Sequence, residues 1–184
     1  TLSHTPPVPG NNLTLTVDAK LQEVAEKAFG DRRGALVAIE PSSGGVLALV
    51  SVPNYDPNLF VDGITTQDWE QLNESSDKPM VNRALNGAYP PGSTFKPFMA
   101  LAALTLGKRR PEQAISDPGF FSFGDHTFRD DKKGGHGVVD MYKSIVESCD
   151  TYYYLLANDL GIDNISSFMR QFGFGSRTGI DIDG

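Results

Sequence analysis

Cysteine is nearly absent from this chain. One residue, Cys149, among 184 leaves no internal disulfide, and three readings stay open for it: a buried small hydrophobe, a metal ligand or a reactive thiol. Long hydrophobic runs are also missing. The longest, Pro97 to Leu106, falls far short of the roughly 20 residues that cross a bilayer, and the N-terminus has no signal-peptide pattern. Any anchor or export signal is therefore expected outside these residues. Positive charge is scarce too: 16 Lys and Arg against 23 Asp and Glu leave a net charge of −7. No basic cluster exceeds Lys108-Arg109-Arg110, which argues against nucleic acid as a partner.

What is present describes an ordinary globular interior, with 39% apolar residues, 21% charged, 11 Phe and 6 Tyr. The length suits one domain or part of one. Residues 1–12, with three prolines and no periodicity, read as a linker or entering segment, and the ordered domain is expected over 13–184. From Val17 to Phe29, apolar Val17, Leu21, Val24, Ala25 and Ala28 recur at helical spacing, and Gly30 follows as a stop. Two β-branched runs, Gly34 to Glu40 and Gly45 to Val52, are joined by Pro41-Ser42-Ser43-Gly44 and predict an antiparallel hairpin apolar enough to be buried on both faces. Pro53 and Pro57 take the chain out of the sheet. Thr65-Thr66-Gln67-Asp68 predicts a capping box opening a short helix through Trp69 and Leu72.

Tyr89-Pro90-Pro91-Gly92 forms a stiff approach to a helix expected from Ser93 to Leu106 and ended by Gly107. After Lys96 that helix is almost wholly apolar or small, so it is central and buried. Residues 111–137 read as loops, with turns at Asp117-Pro118-Gly119 and Lys132 to Gly137. Helical patterns return over Val139 to Glu147, Thr151 to Leu160 and Asn164 to Phe172.

Ser93-Thr94-Phe95-Lys96 is a Ser-x-x-Lys at a helix start, and a three-residue spacing is nearly one turn, so hydroxyl and amine face the same way. A serine hydroxyl becomes nucleophilic when a neighbouring base takes its proton. A lysine amine does this when burial and nearby positive charge keep it neutral. The helix start adds partial positive charge and free N–H groups, candidates for an oxyanion hole. The four-residue pattern occurs often by chance, as a helix cap with a solvated lysine. Here the rigid Pro-Pro-Gly lead and the buried helix behind it favour chemistry.

A second element, Ser148-Cys149-Asp150, falls where a turn between two helices is expected. Residues i and i+2 point to one side and the cysteine to the other. Ser148 is a candidate proton relay between Lys96 and a leaving group, and Asp150 a candidate hydrogen-bonding partner for the lysine or substrate. The simpler alternative is that Asp150 caps the helix starting near Thr151, and the two are compatible.

These residues resemble the Ser-x-x-Lys, Ser-x-Asn and Lys-Thr-Gly set of penicillin-binding proteins and serine β-lactamases. The segments 38–60, 82–97 and 148–162 are similar to class B penicillin-binding proteins. Asp at 150 and the run 129–137 are most like the elongation-type group, penicillin-binding protein 2. The resemblance implies an α/β fold of the α+β type, β-lactamase/transpeptidase-like, with an antiparallel sheet and a helical subdomain, present here only in part. It implies a peptidoglycan D,D-transpeptidase: Ser93 attacks the D-Ala-D-Ala bond of a stem peptide and the acyl group passes to an amine on a neighbouring strand. β-Lactams would acylate Ser93 in the same way. Catalytic roles fall on Ser93, Lys96, Ser148 and Asp150. Implied partners are stem peptides, β-lactam antibiotics, a glycosyltransferase and elongation-complex membrane proteins, at the periplasmic face of the inner membrane. No Lys-Thr-Gly occurs, so activity is expected of an intact parent rather than of these residues alone. The alternatives are a β-lactam-sensing module and an inactive fragment.

A metal site is a separate expectation. Cys149, pointing away from the cleft, faces a loop offering Asp117, Asp125, His126, Asp130, Asp131 and His136, a set of thiolate, imidazole and carboxylates that suits zinc. Spacing alone favours a buried free cysteine with surface histidines. The resemblance implies a structural zinc held by Asp117, Asp130, His136 and Cys149, stapling the loop to the Ser148 turn.

Overall fold

The computed structural model describes Pro6 and residues 8–182. Part of the expected linker, residues 1–5 and Pro7, lies outside the described residues. Val8 to Asn12 are exposed and without regular structure, as the prolines predict. The chain forms two compact units, one up to Ala88 and one from Tyr89.

In the first unit, α1 spans Ala19–Phe29. It starts two residues later than the apolar spacing suggests because Asp18 caps it, accepting from the Lys20 and Leu21 N–H groups at 2.9 and 3.1 Å. β1 (Gly34–Ile39) and β2 (Val46–Val52) form the expected antiparallel hairpin, Gly34 opposite Val52, with an irregularity at Ala38/Ile39. The other edge of β2 is bonded to the segment around α1. Asp18 N–H donates to Leu47 O at 2.9 Å, and the Gln22 carboxamide both accepts from Leu49 N–H at 2.9 Å and donates to Leu49 O at 3.0 Å. Ala25, Ala48 and Val50 are buried here. The expectation of burial on both faces fails for β1. Val37 is 40% and Ile39 53% exposed, because β1 alternates in burial instead of being covered on both sides.

α2 (Thr66–Glu74) opens as predicted, Thr65 Oγ1 accepting from Asp68 N–H at 3.1 Å and donating to the Asp68 carboxylate at 2.6 Å. A short α3 (Arg83–Asn86) is capped by Asn82 and tied to β2, its Arg83 N–H donating to Ser51 Oγ at 2.9 Å.

In the second unit, a 3-10 turn over Gly92–Phe95 runs into α4 (Lys96–Thr105). Ser93 therefore sits on the tighter turn ahead of the helix and not within it. α4 presents Met99, Ala100, Ala102 and Ala103 to a core completed by Tyr152, Leu156 and Leu160 of α6 (Asp150–Leu160) and by Phe168 and Met169 of α7 (Ile162–Met169). The small alanines let the helices approach closely.

Residues 111–137, expected as loops, hold three short strands and the first residue of a fourth. β3 (Ile115–Asp117) pairs antiparallel with β6 (Gly137–Val139), and β4 (Phe120–Phe123) pairs with β5 (His126–Arg129). The chain crosses itself tightly where these ladders meet. Gly135 has φ +78°, and a Cβ there would collide with the Asp117 carbonyl and the Gly119 amide. α5 (Met141–Val146) starts later than its apolar pattern, because Val139 belongs to β6 and Asp140 caps the helix, accepting from Lys143 N–H at 2.8 Å. Helices with antiparallel strands form the expected α+β class.

Candidate active site

The turn before α4 and the start of α6 bring the four predicted catalytic residues together. Ser93 is exposed on the 3-10 turn, and Lys96, one turn on, is 9% exposed at the root of α4. Ser148 adopts φ +55°, a conformation that costs a non-glycine residue about 1 kcal/mol. Its hydroxyl donates to Ser93 Oγ at 2.8 Å. The Lys96 ammonium donates to Ser148 Oγ at 3.1 Å, to the Ser148 carbonyl at 2.5 Å and to Asp150 Oδ1 at 2.5 Å. The ring of Tyr153 lies 5.6 Å from the Lys96 nitrogen.

One detail departs from the sequence reading: the Ser93 hydroxyl is linked to Lys96 through Ser148 rather than by a direct hydrogen bond. The carboxylate bonded to Lys96 is Asp150, the residue the sequence offered as its hydrogen-bonding partner. Asp150 is the first residue of α6, and the N-cap is Cys149, whose side chain makes no cap hydrogen bond. The Asp150 carboxylate is thus free to hold Lys96. Tyr153 was not singled out from sequence, although its place three residues after Asp150 on a helix puts both on one face.

As the turn geometry requires, Cys149 points the other way. It is fully buried, with Asp117 2%, Asp130 8% and His136 9% exposed around it. His136 Nδ1 lies 2.9 Å from Asp117 Oδ2 and 3.3 Å from Asp130 Oδ1, and Cys149 Sγ lies 3.5 Å from an oxygen of each carboxylate. All four donor atoms lie within 4.8 Å of one another, and the group is placed to hold a metal ion. Of the other loop candidates, Asp125, His126 and Asp131 are exposed; Asp131 lies with Asp130 and Asp150 in a second acidic group, outside the set that includes His136 and Cys149.

Burial, reinforced by the Asp130 and Asp117 charges, pushes the Cys149 thiol up to about 12. Burial also raises the two carboxyls, but hydrogen bonds outweigh it. The Gly119 N–H and His136 hold Asp117 below the usual carboxylate range, and the Thr151 and Lys132 N–H groups do the same for Asp130.

The profile of the penicillin binding protein transpeptidase domain family matches residues 34–184. This chain belongs to that family. Among penicillin-binding protein relatives, peptidoglycan D,D-transpeptidase MrdA of Acinetobacter baumannii is 53% identical over 178 residues, covering 96% of this chain and 26% of that protein. The crystal structure of Pseudomonas aeruginosa PBP2 in complex with WCK 5153 superposes with a TM-score of 0.91 at 48% identity, over 97% of this chain and 41% of that one. Penicillin-binding protein A from M. tuberculosis, in its penicillin G acyl-enzyme complex, gives a TM-score of 0.78 at 29% identity over 88% of this chain and 40% of that one. The chain spans between a quarter and a third of the length of its MrdA relatives. Within the penicillin-binding protein family it is of the PBP2/MrdA kind.

Proposed function

We propose that residues 13–184 are the N-terminal part of a peptidoglycan D,D-transpeptidase domain, with Ser93 as its acylated nucleophile. The observation that carries this is the unbroken hydrogen-bond chain Asp150–Lys96–Ser148–Ser93, with only Ser93 exposed to an incoming peptide. The Lys96 ammonium first passes one proton to the Asp150 carboxylate it bonds; with both hydroxyls then turned from their resting direction, the Ser93 proton passes to Ser148 and the Ser148 proton to the Lys96 amine so freed. Ser93 Oγ meanwhile bonds to the carbonyl carbon of the penultimate D-Ala. The tetrahedral intermediate collapses, the C–N bond breaks, and the terminal D-Ala leaves with the proton returned by the relay. An amine of a neighbouring strand then attacks the ester, loses its proton to the same relay and releases Ser93. Asp150 orients the Lys96 amine throughout.

The MrdA relatives support the substrate class, and a penicillin G acyl-enzyme in a relative supports β-lactams as mimics that leave Ser93 esterified. The setting consistent with this reading is the periplasmic face of the inner membrane, beside a glycosyltransferase and elongation-complex membrane proteins. Among the described residues no helix is long and apolar enough to cross a membrane.

The buried donors Asp117, Asp130, His136 and Cys149 fit zinc. They supply one thiol, one imidazole and two carboxylates, all buried and with donor atoms within 4.8 Å of one another, which are ligand types that zinc takes. Bound zinc would supply a positive charge that keeps Cys149 as thiolate between two carboxylates. The chemistry at Ser93 does not pass through it.

The test is labelling of the intact protein by a fluorescent penicillin, followed over hours. A stable label lost in Ser93→Ala supports the reading. Normal labelling of Ser93→Ala overturns it, and rapid release of the label would make the protein a β-lactamase instead.

A further inference from the structure

The start of α6 has an unusual arrangement of partners. A helix leaves its first N–H groups unsatisfied, and the N-cap side chain normally accepts from the second or third of them. Here the N-cap is Cys149, whose thiol is turned toward Asp117 and Asp130 and makes no cap hydrogen bond of normal geometry, with the Tyr152 N–H as its one weak backbone neighbour. The second helical N–H, that of Thr151, donates instead to Asp130 Oδ2 at 2.8 Å, from a residue 21 positions earlier. Thr151 is 1% exposed, so no solvent acceptor substitutes.

Asp130 is itself fixed by the loop that carries it. Its N–H donates to Gly119 O at 3.0 Å, and its other oxygen accepts from Lys132 N–H at 3.3 Å. It also brings negative charge to the positive end of α6, where charge is favoured. The residues flanking this cap are the two that hydrogen-bond Lys96. Asp150 is the first residue of the helix, and Ser148 precedes the N-cap in its left-handed conformation. A turn strained at Ser148 keeps its geometry only if its neighbours are pinned, and the pin on the helix side is Asp130.

We propose that Asp130 is a positioning residue for Ser148 and Asp150, acting as the long-range N-cap of α6 independently of any metal it ligates. The inference rests on Ser93 being the nucleophile, but the cap itself is a backbone property that can be read without turnover.

Three variants of the intact protein separate cap from ligand. Asp130→Asn keeps an oxygen acceptor for Thr151 N–H and loses a carboxylate ligand. Asp130→Ala loses both, and Cys149→Ser loses the thiolate and leaves the cap. Acylation by a fluorescent penicillin is timed for each with and without a zinc chelator, and backbone amide exchange is followed at Thr151. After chelation, Asp130→Asn and Cys149→Ser acylate like the chelated parent and keep Thr151 protected. Asp130→Ala is about 10-fold slower than either and loses that protection. Equal acylation of Asn and Ala variants after chelation, or unchanged Thr151 exchange in Asp130→Ala, overturns the cap. If Asp130→Ala does not accumulate, Asp130→Asn decides through exchange: protection kept together with slow exchange in the parent supports the cap, and protection lost overturns it. A parent that takes no label at all sinks the transpeptidase reading, while exchange at Thr151 still judges the cap.

Discussion

Ser148 stands between Ser93 and Lys96, its hydroxyl 2.8 Å from one and 3.1 Å from the other. In this arrangement the proposed nucleophile and its proposed base are linked through a second hydroxyl. Removing that hydroxyl in Ser148→Ala is expected to lower the rate of Ser93 acylation by about 10²–10⁴-fold, the range for loss of a positioned proton-transfer group. β-Lactam binding before acylation should change far less. Stopped-flow acylation at several β-lactam concentrations separates the two. An unchanged limiting rate would show that Lys96 reaches Ser93 without the relay.

Asp150 holds Lys96 at 2.5 Å but does not touch Ser93. Asp150→Asn keeps a hydrogen-bond acceptor while removing the charge, and Asp150→Ala removes both. We expect acylation to fall in the order parent, Asn, Ala, with the Ala variant slower by about 10²-fold. If Asn and Ala variants behave alike, the charge matters and the orientation of the amine does not.

Cys149 tests the proposed zinc. Purified intact protein should contain close to one zinc, by elemental analysis and anomalous scattering, and Cys149→Ser should contain much less. Chelation should lower the unfolding midpoint and loosen residues 117–137, measured by amide exchange, while Ser93→Ala keeps its zinc. Metal-free protein with unaltered stability and loop order in Cys149→Ser would end the zinc reading.

Gly135 crosses against the Asp117 carbonyl and the Gly119 amide with φ +78°. Gly135→Ala adds a Cβ where only backbone lies and forces a left-handed conformation, so it should destabilise the protein by about 3 kcal/mol or more. Gly124 is a control with positive φ and open space around it, and Gly124→Ala should cost about 1 kcal/mol. Chemical denaturation of the two variants checks the difference.

Elements with strong local signals were legible in the sequence. The N-terminal helix, the hairpin over 34–52, the capping box at Thr65 and the helices after Cys149 all carry either a full apolar period or a capping residue. The strands from Ile115 to Val139 were not, because runs of three or four residues are too short for an alternation to show. Their pairing is fixed by backbone crossings at Gly119 and Gly135 that no periodicity records. At the site, helix spacing paired Ser93 with Lys96 and turn geometry put Ser148 and Asp150 on one side, while the meeting of the two pairs was carried by resemblance. Spacing could not show that Ser148 is interposed, since this depends on a positive φ at a serine. The donors Asp117, Asp130 and His136 come from a long loop, and their convergence on Cys149 was carried by resemblance alone.

The Gln22 carboxamide bonds both backbone groups of Leu49 on the edge of β2 left open by β1. A bare strand edge is a template for a stranger's strand, and here a side chain occupies two of its rungs. α1 thereby serves as a guard as well as a packing element. A lesion that lifts it, even one far from Ser93, would be felt first as self-association in concentrated protein, with the hydrogen bonds around Ser93 still intact.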